Sequence, residues 1–162
     1  MRQLTAAVFA FGLCLLAIAS PQTGAQTRRK PLDPCKLVSN ADVLHVLGWE
    51  VATRRHKPYD IHGATGAMCF LAASQGQVIV IVPSPESDLP GITVYNDPAA
   101  GDLAKRVYGL GADVILYNST VYVAGYHRDV EVRVVPDSHA ASYAEVEGFG
   151  AVVARSLRRL SR

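Results

Sequence analysis

Two cysteines, Cys35 and Cys69, constrain this chain more than any other feature, because one precedes a helix-forming stretch and the other lies in a strand-forming one. A third cysteine, Cys14, belongs to a different part of the chain. Arg2 is followed by an apolar run from Leu4 to Ala19, then by Ser20, Pro21 and small residues up to Ala25. Charged start, apolar run and small-residue exit read as a secretory signal, with cleavage expected after Ala25. The run is too short and too abruptly ended for a retained membrane span, and Cys14 sits inside its apolar core, where a lipid-bearing cysteine is not found. Removing 25 of the 162 residues leaves 137 with two cysteines. In an oxidising compartment, periplasmic or extracellular, a Cys35–Cys69 disulfide is the leading expectation, with two buried thiols as the alternative. Such a bridge closes a loop of about 34 residues and would stabilise by about 3 to 4 kcal/mol on a chain-entropy argument.

The stretch Asp33–Trp49, DPCKLVSNADVLHVLGW, spells out one short helix. Ser39 is suited to cap its N-terminus and Asp42, three residues on, to answer in a capping box. Val38 and Val43 fit a hydrophobic staple across the cap. Val43, Leu44, Val46 and Leu47 supply an apolar face, and Gly48 can adopt the left-handed conformation that ends a helix. A helix this short needs a surface to dock on.

Residues 26–34 are polar, basic and proline-bearing, and are expected to be a mobile arm ahead of the domain at 35–162. A strand is expected over Glu50–Arg54 and a hairpin over Ala67–Ala73 and Gln77–Val82, with Ser74, Gln75 and Gly76 turning it. QVIVIV is apolar on both faces, which suits a central strand. A proline-rich loop follows at 83–91. Asp97 and Pro98 suit a helix start, so a second helix is expected over Asp97–Tyr108. A meander is expected over Ala112–Tyr117, Thr120–Tyr126 and Val130–Val135, where Val130, Val132 and Val134 face the core and Glu131 and Arg133 face water. Val146, Phe149, Val153, Leu157 and Leu160 form a helical stripe in a last element from about His139 to Leu160; Gly148 and Gly150 interrupt it and are consistent with close approach to the sheet, a kink or a late helix start. The fold class is therefore α+β: one domain, an antiparallel sheet of about five strands packed against two or three helices, with one disulfide.

The run Pro34, Cys35, Lys36, Leu37, Val38, Ser39, Asn40, Ala41, Asp42, Val43, then Leu47 and Gly48, with Cys69 heading a hairpin, resembles a pattern of small exported bacterial proteins and lipoproteins with domains of unknown function. Gly109 to Gly111 before a strand pair and the terminal helix fit the same pattern. The resemblance covers most of the chain after the signal and implies a fold and a compartment; it implies no activity.

Chemistry is sparse. The five histidines, 45, 56, 62, 127 and 139, make no HExxH or HxH arrangement, and no serine stands in a GxSxG elbow. The glycines do not spell a nucleotide cradle, so no cofactor is expected. His127 and Asp129, with His139, flank the last strand and are the candidates for a metal or acid–base site, against a reading as polar turn residues. The leader holds one charged residue, Arg2, so the net charge of +2 becomes +1 without it, which argues against nucleic acid as a partner. Tyr122 and Tyr126, of equal parity on one strand, and the basic Arg155, Arg158 and Arg159 on the last helix are the candidate partner surface, toward an envelope protein or an anionic envelope surface. The function expected is that of a non-enzymatic exported binding or accessory protein of the bacterial cell envelope. The alternatives are a secreted inhibitor presenting a sheet face or loop to an enzyme cleft, and a small enzyme or metal site around His127, Asp129 and His139.

Overall fold

A computed structural model describes residues 31–61, 64–84 and 104–162. The expected signal, most of the arm, the loop at 83–91 beyond Ser84 and most of the expected helix at 97–108 lie outside the described residues. Within them a 3-10 turn at Pro34–Lys36 leads to helix α1 (Asn40–Leu47). Seven strands follow: β1 (Val51–Ile61), β2 (Ala64–Ala73), β3 (Gly76–Pro83), β4 (Ala104–Val107), β5 (Asp113–Tyr117), β6 (Thr120–Gly125) and β7 (Arg128–Pro136). Helix α2 (Tyr143–Leu160) ends the chain. The strands form a single antiparallel sheet in the order β1-β2-β3-β7-β6-β5-β4, and Cys35 is bonded to Cys69.

The expected α+β architecture is present, with corrections. The sheet has seven strands, where about five were expected. Residues 104–107, placed in a helix by the sequence, are edge strand β4, paired with Val114–Tyr117 of β5. Partner strands, absent from any local window, override a modest helical pattern. β1 runs on past Arg54 through Pro58 to Ile61, and proline is tolerated there because β1 is an edge. The last helix begins at Tyr143, later than His139, because Ser142 caps it by accepting from the Glu145 N–H while Glu145 accepts from the Ser142 N–H at 2.7 Å.

One face of the sheet carries the main core. Cys69 and Leu71 of β2, Val78 and Val80 of β3, Val130, Val132 and Val134 of β7, Val121 and Val123 of β6 and Val114 and Leu116 of β5 are all buried. They alternate along their strands as a half-buried sheet requires. Helix α2 covers this face with Val146, Phe149, Val153 and Leu157, and α1 adds Val43. The cap of α1 is as its sequence indicates: Ser39 and Asp42 satisfy each other's backbone N–H groups, and Gly48 closes the helix at φ +71°. Arg54 ties this helix to β1. Its guanidinium donates to the Cys35 carbonyl, to the Val38 carbonyl at 3.2 Å and to Asn40 Oδ1 at 2.6 Å.

The glycines inside α2 mark close packing. A Cβ on Gly150 would lie 2.7 Å from Val114 Cγ1, in the buried core, and one on Gly148 would lie 2.8 Å from Val46 Cγ1. Replacing glycine by alanine within a helix is normally worth about 1 kcal/mol, but overpacking costs about 1 to 3 kcal/mol. Gly150→Ala is therefore expected to destabilise by about 1 kcal/mol in urea unfolding. Gly148→Ala, facing Val46, which is only half-buried, should come out closer to neutral; a clear gain in stability for Gly150→Ala would contradict close packing there.

Candidate functional site

The second face of the sheet, away from α2, is built by the alternate residues of the same strands. Cross-strand pairing aligns Ile81, Glu131, Tyr122 and Ile115 in one row and Phe70, Ile79, Arg133, Thr120 and Tyr117 in the next. Glu131 is fully buried, at 0% exposure. This corrects the expectation that Glu131 and Arg133 face water. The signal that could have found it lies in the neighbouring strands: QVIVIV and the apolar Ile115 and Tyr122 positions make the strands around β7 apolar on both faces, so a glutamate among them loses its water.

A buried carboxylate is costly unless paired. Arg133 Nε donates to Glu131 Oε1, while Glu131 Oε2 has no hydrogen-bond partner among the described residues. Tyr122, directly opposite Glu131, is 9% exposed, and its hydroxyl is pushed up to about 12 by burial first and by the Glu131 charge second. Burial would lower the pKa of Arg133, but the hydrogen bond and charge of Glu131 outweigh it and hold the guanidinium more firmly protonated. The Arg133 side chain remains 39% exposed, and no hydrogen bond from its two Nη groups is found among the described residues. The guanidinium is thus held from behind by a buried carboxylate, with the rest of its planar donor fork open. Such a fork suits bidentate recognition of a carboxylate or phosphate.

The surroundings of Arg133 are apolar and half open. Phe70, Ile79 and Tyr117 are half-buried and Val135 is 39% exposed. Arg55 and Lys57 are exposed on the same face, with Lys57 Nζ 5.2 Å from the Phe70 ring centroid. At the nearby end of β6 and β7 lies an open depression of about 330 Å³ bordered by Asn118, Ser119, Val135 and His139. His139 there bonds Glu145 at 3.0 Å and Ser138 at 3.2 Å. Glu145 also accepts the Ser142 N–H and hydroxyl, so the group closes the start of α2. The Ser142 backbone bond first, then His139 and then the Ser142 hydroxyl, hold the Glu145 carboxyl at about 2. A lowered folded-state pKa gives stability that is present above the ordinary carboxylate range and lost as pH falls toward about 2. Glu145→Ala is expected to cost about 1 kcal/mol at neutral pH, and the difference from the unsubstituted protein should vanish in acid titrations of unfolding below that window.

The remaining sequence candidates fall apart in space. His127 and Asp129 lie at the start of β7 and His139 beyond its end: eight residue steps at about 3.3 Å each put the ends of β7 about 26 Å apart. Tyr122 lies on the second face, whereas β6 ends at Gly125 and Tyr126 turns in the left-handed region at φ 55°. Tyr126 meets the basic helix instead, accepting from Arg158 Nε at 3.1 Å, while Arg158 Nη2 donates to the Leu110 carbonyl at 3.4 Å. Arg159 donates to Ser156 Oγ at 3.2 Å, and Ser156 in turn donates to the Leu37 carbonyl at 3.0 Å. Arg158 and Arg159 thus brace the fold, and Arg155 is exposed beside them. Among the described residues no three of His, Cys, Asp and Glu come together as a metal site would require, and no helix is long and apolar enough to cross a membrane.

Comparison with known protein families, curated proteins and solved structures finds no match.

Proposed function

We propose that this chain is a non-enzymatic binding or accessory protein of the bacterial cell envelope, exported by its N-terminal signal, with the second face of its sheet as the recognition surface. The observation that carries this reading is the Arg133 guanidinium, fixed by buried Glu131 and partly exposed on its outer side beside half-buried Phe70, Ile79 and Tyr117 and exposed Val135. A rigid donor fork oriented from behind by a buried carboxylate suits recognition of a carboxylate or phosphate. The Cys35–Cys69 disulfide fits an oxidising compartment.

Cross-linking of the full chain in its native envelope, followed by mass mapping, tests the proposal. The expected result is a protein with its mature N-terminus at Gln26, found in the envelope fraction and cross-linked to a partner through residues of β3 and β7. A protein retained in the cytosol with its leader intact, or one with no cross-linked partner, would overturn it.

A further inference from the structure

We infer that the open half of the second sheet face docks a protein segment bearing one acidic residue among apolar ones, whose carboxylate is gripped by Arg133. This rests on the recognition reading above and adds the chemistry of the partner. Three observations lead to it. The Arg133 fork is held from behind by Glu131, so its outer Nη donors are oriented before any partner arrives, and less side-chain freedom is lost on binding. Around it Ile79, Phe70, Tyr117 and Val135 offer apolar and aromatic surface in the open or half-open range. An arginine ringed by aromatic and aliphatic contacts is the usual composition of an interface anchor. Finally, Arg55 and Lys57 lie at the Arg133 end of this face, while its acidic Asp113 and Asp129 stand at the other end, so the charge beside the fork is positive, which favours an acidic partner and disfavours a basic one.

The same features argue against two other occupants. A second copy stacked face to face would bring the Arg55, Lys57 and Arg133 patch of one copy toward the same positive patch of the other, with no acidic partner for the fork. A small anionic ligand is best held in a concave pocket, whereas a sheet face is a broad, shallow surface across which an extended segment can lie. The partner's carboxylate replaces water on the fork and lies in its plane, and its flanking apolar side chains cover Ile79 and Val135.

The test uses the oxidised mature protein and an array of synthetic nine-residue peptides, each with one central Glu flanked by Ile, Val, Phe or Tyr, and each matched by the same peptide with Gln. Removing Arg133 alone would orphan Glu131 and endanger the fold, so the variants are Arg133→Lys, which keeps the charge and loses the fork, and the double variant Glu131→Gln with Arg133→Gln, which removes both charges together. Unfolding curves establish that each is folded. The expected result is binding of Glu peptides at least about tenfold tighter than their Gln partners, a weakening of several-fold with Arg133→Lys, and no Glu preference in the double variant. Equal binding of Glu and Gln peptides, a preference that survives in the double variant, or Arg133-dependent binding confined to phosphatidylglycerol vesicles would overturn the inference. If no peptide binds while cross-linking in the envelope still captures a partner, the inference falls and the broader reading stands. If peptides bind as expected but the envelope yields no partner, the broader reading falls.

Discussion

Replacing Arg133 with methionine is expected to destabilise the protein by about 3 kcal/mol, measured by urea unfolding at neutral pH. The cost comes from Glu131. With 0% exposure and its one described partner removed, the carboxylate would be charged, buried and unpaired, a situation that costs about 3 to 5 kcal/mol. The lower end applies because Arg133 is itself partly exposed, which weakens the pair in the unsubstituted protein. The paired replacement Glu131→Leu with Arg133→Met removes both charges from an otherwise apolar neighbourhood and is expected to recover most of the loss, as buried ion pairs exchanged for apolar residues commonly do. No recovery in the double variant would show that Glu131 is not held as described.

The second large effect is expected from the disulfide. Cys35→Ser with Cys69→Ser should lower stability by about 3 to 4 kcal/mol, because a bridge across 34 residues removes loop freedom from the unfolded chain. The loss should concentrate where the bridge acts. Cys35 holds the 3-10 turn, whose carbonyl accepts from Arg54, and Cys69 lies in the core beneath it on β2. The α1 segment is eight residues long, too short to be helical in water unaided. Hydrogen exchange should therefore show α1 and β1 losing protection first on reduction, with β5, β6, β7 and α2 retaining theirs. Uniform loss of protection across the sheet would instead mean that the bridge stabilises the domain as one unit.

The chain's local grammar was legible before any fold was known. Ser39, Asp42 and Gly48 place the first helix within a residue of its observed limits because capping is decided by groups three or four positions apart. The hairpin of β2 and β3 and the alternation of Val130, Val132 and Val134 follow in the same way. What misled was any feature whose outcome depends on a distant strand. Residues 104–107 have a weak helical pattern, and pairing with β5 settles them as strand. Gly148 and Gly150 left close packing, a kink and a late helix start all open, and only the nearness of Val46 and Val114 decides for close packing. Tyr122 and Tyr126 share parity in sequence but not in space, because the strand ends between them.

The sequence by itself determined the caps of α1, the alternation of Val130, Val132 and Val134 and the α+β class, since each follows from backbone geometry or chemistry over short separations, and it made Cys35–Cys69 the leading pairing. Only the tertiary structure decided that Glu131 is buried, that Arg133 is held against it with its fork open, and that His127 and His139 stand at opposite ends of β7. Burial, pairing and distance are properties of strands brought together from across the chain. The polar residues of β7 looked solvent-facing for want of their neighbours, and the sheet that supplied those neighbours turned them into the protein's candidate site.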